Sequence, residues 1–194
     1  MHHDDAGPGL SGPGPFPDRA ENNALLELSI ARRIVLFWLF VPGAGLLLIH
    51  YLVWGITSAD VHTLLTSPYI TIGAIIIGAV LHELLHILGY VLGGAPLSSI
   101  KLHVQYNSLT AYVSCSVPIS GRMLKLTCLL PLFVLGIGGA VAALFTGSLG
   151  LTLWAAFMIS AAAGDVTILY AIRGVPPHCP ARLHGREIGC VYYN

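Results

Sequence analysis

Four apolar runs dominate this chain of 194 residues, near residues 34–54, 70–92, 124–145 and 149–172. Each holds about the 20 residues that a helix needs to cross roughly 30 Å of hydrocarbon. No water reaches unpaired backbone groups inside a bilayer, so such runs are confined to helices that satisfy their own hydrogen bonds. Composition points the same way: 55% of residues are hydrophobic and 9% charged, against about 25% charged in an ordinary soluble domain, and the mean hydropathy is +0.78. The sequence therefore predicts an all-α polytopic membrane protein with four transmembrane helices, the membrane domain covering residues 25–172. Only "TGSLG" separates the last two runs, which predicts a tight helical hairpin.

The few charges orient the spans. Arg32 and Arg33 precede the first; Lys101, Arg122 and Lys125 lie between or at the ends of the second and third; Arg173, Arg182 and Arg186 follow the fourth. The connections "GITSADVHTLLTSPY" and "TGSLG" carry no Lys or Arg. By the positive-inside rule, both termini and the middle connection face the cytoplasm. Nine basic and nine acidic side chains balance to a net charge of zero, which leaves no basic footprint for nucleic acid. Residues 1–24, opening with "MHHDDAGPGLSGPGPFPD", read as a disordered Gly/Pro-rich leader without a basic n-region or cleavable apolar core. Residues 173–194 read as a basic cytoplasmic tail.

Between the second and third spans, "SIKLHVQYNSLTAYVSCSV" alternates apolar and polar residues, with Asn107 and Ser108 at the position of a turn. This predicts a small cytoplasmic β-hairpin over about 97–118. Two readings of it stay open: an amphipathic cap on the bundle, or a strand edge to which an extended peptide adds. The cysteines Cys115, Cys128, Cys179 and Cys190 form no C-x-x-C pair, and no disulfide framework is expected. His178, Cys179, His184 and Cys190 gather in the tail, but their spacing fits no common zinc module, so a plain polar tail is favoured.

Within the apolar cores of the spans the only carboxylates are Glu83 and Asp165. An acid at the centre of a membrane helix costs on the order of 3 kcal/mol, so both need partners. Glu83 belongs to an H-E-x-x-H pattern with His82 and His86 in "AVLHELLHILGY". That spacing sets two imidazoles one helical turn apart on one face, able to bind one metal ion, with the glutamate beside the water the metal would activate. Zinc in such a site takes a third protein ligand and keeps a fourth position open. Asp165, in "AAAGDVTILY", is the candidate. Spans two and four run in the same direction, and His86 and Asp165 each lie sixteen residues beyond expected span starts at 70 and 149. At 1.5 Å per residue both sit about 24 Å along their helices, at one level nearer the cytoplasm. A divalent ion would also balance the two acids.

Other readings of the cluster are a hydrogen-bonded polar group that holds the bundle together and a His/acid proton relay of the kind transporters use. His50 and His103 are expected to be satisfied polar side chains rather than ligands. Gly89 and Gly93, and Gly136, Gly138 and Gly139 near Pro131, fit close helix packing, and Pro131 is placed to interrupt a helix lining a cavity.

The ordered set "LHELLHILGY", the hairpin, "PIS" at 118–120, "LLP" at 129–131, "AGD" at 163–165 and the closing "GREIGCVYY" resembles the membrane zincin peptidases of bacteria, over roughly residues 25–194. That family is itself similar to site-two-type intramembrane zinc metalloproteases. The resemblance implies His82, His86 and Asp165 as zinc ligands, Glu83 as catalytic base, and residence in the bacterial cytoplasmic membrane. It departs from the site-two pattern in two ways: Gly-Asp stands where Asn-Pro and Asp-Gly signatures are common, and no PDZ-like module is present. The function expected is hydrolysis of peptide bonds in membrane or membrane-associated proteins, with the bilayer and a protein or peptide substrate as partners. His103 and Asn107 are candidates for stabilising the oxyanion. The alternatives are a catalytically inactive metal-binding protein that holds a membrane partner, and a small transporter.

Overall fold

The structure is a computed structural model that describes residues 16, 18–105, 110–184 and 187–194. It is mostly helical, and four helices are long and apolar enough to cross a membrane: Leu28–Trp54, Pro68–Leu92, Gly121–Thr146 and Leu149–Ala171. The expected runs fall on these helices to within two turns. We label the first two α1 (Leu28–Trp54) and α3 (Pro68–Leu92). The third is α4 (Gly121–Pro131), a π-helical stretch (Leu132–Ile137) and α5 (Gly138–Thr146). The fourth is α6 (Leu149–Ala161) and α7 (Ala163–Ala171), broken at Ala162.

Their outer surface is apolar. Phe40, Leu52, Ile77 and Phe145 are exposed, the reverse of a soluble fold, where exposed apolar patches stay small. Inside, α6 is the central element: it packs against α1, α3 and α5, and its Thr152, Ala155 and Met158 are buried. The turn between α5 and α6 is tight because Gly147 takes a left-handed φ of 65° that ends α5, and Ser148 then caps α6 by accepting from the Leu151 N–H.

The first connection holds a helix that was not foreseen, α2 (Ser58–Thr66). A reciprocal capping box starts it, Asp60 accepting from the Thr57 N–H at 2.9 Å while the Thr57 hydroxyl accepts from the Asp60 N–H at 3.2 Å. Hydrogen bonds from Thr57 hold the Asp60 carboxyl below its ordinary range.

The expected hairpin is present as β2 (Ile100–Gln105) and β3 (Thr110–Cys115), antiparallel with His103 opposite Tyr112. Its turn, with Asn107 and Ser108, lies outside the described residues. A second sheet corrects the all-α expectation. It runs in the order β1-β6-β5-β4, from β1 (Glu21–Leu25), β4 (Ile119–Ser120), β5 (Pro180–Leu183) and β6 (Gly189–Tyr193). Residues 21–24, read as the end of a disordered leader, pair with the other end of the chain, Glu21 opposite Tyr193. Residues 173–194 are likewise no plain tail: Ala181 and Cys190 are buried against Tyr90, Leu124 and Ile172. Strands of four or five residues with distant partners leave little local pattern, because their stability comes from the cross-strand and packing contacts. The pairing of β1 with β6 brings the segments before the first long helix and after the last together at one end of the bundle, where β5 also meets β3.

The α3–α4 crossing is the closest approach near the histidines. A Cβ on Gly89 would lie 2.6 Å from the Thr127 hydroxyl oxygen and 2.8 Å from its Cα. Gly89→Ala is therefore expected to lower bundle stability by about 1–3 kcal/mol through overpacking, read from the unfolding midpoint in detergent. Gly73→Ala on the same helix, with open space around it, is expected to leave the midpoint unchanged or raise it.

Candidate metal centre

His82 and His86 project from one face of α3 with ring centroids 4.9 Å apart. Asp165 comes from the fourth long helix, and the break at Ala162 decides how. Because α7 restarts there, Asp165 falls in its first turn, where unpaired N–H groups and the helix dipole favour a carboxylate. The Asp165 Oδ1 lies 3.2 Å from the His86 Nε2, and its Oδ2 lies 3.0 Å from the His82 Nε2. Each residue offers one ligand atom, and all three lie within 4.8 Å of one another. Among the described residues no other group of three or more His, Cys, Asp or Glu side chains converges in this way. The depth match expected from the sequence is thus met as a physical contact.

The donor set fits a cation. The His86 Nδ1 sits 3.1 Å from the Thr127 carbonyl oxygen, which can only accept, so Nδ1 carries a hydrogen and donates it. In the neutral ring the Nε2 then presents a lone pair, aimed at a carboxylate oxygen. Two lone pairs facing each other at that range repel unless a positive charge, a metal ion or a second ring proton, lies between them. The Asp165 Oδ2, although 3.0 Å from His82, accepts no well-formed hydrogen bond, and the His82 Nδ1 and Glu83 Oε2 are also buried without one. Side chains close in distance but poorly aligned for hydrogen bonds suit ligands aimed at a shared centre. Two imidazoles and one carboxylate with room for water make a donor set suited to zinc.

A cavity of about 600 Å³ opens onto these residues. Its inner wall is Glu83, Tyr90, Val113, Cys115, Cys128 and Ile168. The backbone N–H of Val113 in β3 faces the Glu83 carboxylate. His103, also in the cavity lining, stacks on Tyr112 with centroids 4.9 Å apart and shares a 2.8 Å hydrogen bond between its Nε2 and the Ser114 hydroxyl. The turn between β5 and β6 supplies His184, Glu187 and Ile188 to the same cavity, and the His184 Nδ1 accepts from the Glu187 N–H at 3.0 Å. Burial pushes the Cys190 thiol up to about 11, so that cysteine is a packed apolar group rather than a reactive one.

The structure thus brings together His82, Glu83, His86 and Asp165, and adds His103 to the rim. Asn107 lies outside the described residues. His50 is elsewhere, buried with its Nδ1 2.8 Å from the Thr152 hydroxyl, the satisfied polar side chain expected of it. Sequence reasoning missed Thr127, which acts through a carbonyl and so has no side-chain signature. It also missed the β5–β6 turn, whose place at the cavity depends on contacts far apart in the chain.

Comparison with known proteins adds one match. A family model described as "Putative zincin peptidase" matches residues 75–180, more than half of the chain. No curated protein and no solved structure matches the chain.

The separation of His50 from the cluster gives a clean control. Thr152→Val keeps the shape but leaves the buried His50 nitrogen without its partner, which is expected to cost about 1–3 kcal/mol of stability. Metal content measured on the same purified sample is expected to stay at the wild-type level.

Proposed function

This chain belongs to the zincin peptidase family, and from that premise we propose that it is a membrane-embedded zinc metallopeptidase acting on membrane or membrane-associated proteins. The observation that carries the proposal is the convergence of His82, His86 and Asp165 beside Glu83 at the wall of a cavity large enough for a peptide segment. In this reading His82, His86 and Asp165 hold the ion. Zinc, when bound, supplies Lewis acidity that acidifies the attacking water and polarises the scissile carbonyl.

The remaining steps belong to the chain's own residues. Glu83 takes the proton of the attacking water and delivers it to the leaving amine. The Val113 N–H facing it holds that carboxylate in place. Asp165 ties α7 to α3 through the shared centre. His103, held by Ser114 and stacked on Tyr112, lines the same cavity and in this reading meets charge developing on the substrate carbonyl.

A membrane-spanning substrate has to unwind first, since a helical peptide bond is enclosed by its own hydrogen bonds. The outward edge of β3, on the side turned from β2, offers replacement bonds to an extended segment through backbone groups such as those of Ala111. Four apolar helices, the pairing of β1 with β6 on one side and the Lys/Arg distribution support insertion with both termini in the cytoplasm. In this reading the protein resides in the bacterial cytoplasmic membrane.

Glu83→Gln separates this reading from a partner-binding or transport role. It is expected to keep the metal and lower peptide cleavage at least 100-fold, in line with the usual contribution of a general base. Unchanged cleavage would refute the assignment. A second expectation concerns the strand edge: Ala111→Pro, which removes an N–H of that edge and leaves the Val113 N–H on Glu83, should reduce turnover while circular dichroism reports intact helices. Cleavage at the wild-type rate in that folded variant would rule out strand pairing.

A further inference from the structure

The carbonyl that orients His86 belongs to Thr127, in the middle of a helix, where carbonyls are normally occupied. An α-helical C=O accepts from the N–H four residues on. Four residues after Thr127 stands Pro131, which has no N–H to give. A proline inside a helix also presses its ring against the carbonyl four residues back and displaces it. The next amide does not fill the gap either: the Leu132 N–H bonds back to Leu129, and the chain continues in the π-helical stretch Leu132–Ile137. The Thr127 carbonyl is left for a partner from outside the helix, and the His86 Nδ1–H reaches it at 3.1 Å.

α3 is close enough for this because Gly89, one turn beyond His86, lets it lie against the Thr127 backbone. The Thr127 hydroxyl is no competitor, since it donates to the Met123 carbonyl at 2.9 Å.

We infer that Pro131 is a positioning residue of the metal centre: by leaving the Thr127 carbonyl unpaired within its own helix, it gives His86 the partner that fixes its tautomer and turns Nε2 toward Asp165. The inference rests on the reading of His86 as a zinc ligand but assigns a role to a residue that touches neither zinc nor substrate. Ligating histidines commonly donate their second ring N–H in this way, and losing such a partner typically weakens metal binding 10–100-fold.

The test compares wild type, Pro131→Ala and Pro131→Ser as full-length chains in detergent, with three readouts. Zinc affinity by chelator competition is expected to fall about 10-fold or more in both variants. The zinc-free protein is expected to stay folded with its unfolding midpoint little changed, because the restored helical N–H and the better helix former offset the small cavity left at the buried Pro131. Nitrogen NMR of labelled histidine in the zinc-free protein is expected to show the Nδ1–H form of His86 in wild type and a loss of that preference in the variants.

Wild-type zinc affinity in the folded variants would overturn the inference, as would a loss of affinity that merely follows a loss of stability. Collapse of both variants would also overturn it and assign Pro131 to the fold. If the wild type binds no zinc, the metallopeptidase reading fails, yet the tautomer readout still decides whether Pro131 orients His86.

Discussion

Two carboxylates set within apolar helices are the constraint on which the rest of the structure depends. Glu83 and Asp165 are partly shielded from water, and an isolated charge in such surroundings is driven to neutralise or to find a partner. Asp165 finds two imidazoles at 3.0 and 3.2 Å. Several local features make that meeting possible. The break at Ala162 puts Asp165 in a first helical turn, Gly89 lets α3 and α4 touch through backbone, and the freed Thr127 carbonyl orients the second histidine. On the proposed reading, a divalent ion completes the charge balance.

The strands of the chain then form walls around this centre rather than a separate domain. The β2–β3 hairpin brings Val113, Tyr112 and His103 to the cavity, and the β5–β6 turn brings His184 and Glu187. The second of these lies beyond the segment that the family model matches. Its sheet is anchored by β1 from the opposite end of the chain, so residues before the first long helix and after the last are coupled mechanically to one wall of the cavity.

What the sequence revealed and what it hid follow a physical line. Hydrocarbon length requirements made the four long helices legible almost to their ends, and strict alternation made β2 and β3 legible. H-E-x-x-H together with a level-matched Asp165 led to a cluster that the structure brings into contact. The small sheet of β1, β4, β5 and β6 left no comparable mark, because strands as short as Ile119–Ser120 have meaning only through their partners. Glu21 and Tyr193, which pair in that sheet, come from opposite ends of the sequence. Thr127 escaped for another reason: its contribution is an unpaired carbonyl, and the visible trace of that was Pro131, read from sequence only as a helix interruption. Counting back four residues from an intrahelical proline would have found it.

Metal content by elemental analysis, on detergent-purified wild type and on Asp165→Ala, tests the central claim most directly. About one zinc per chain in the wild type, lost in the folded variant, is the result this account requires of a two-histidine, one-carboxylate site. A folded wild type that retains no metal would contradict it, and would identify His82, His86 and Asp165 as a polar cluster joined by protons instead.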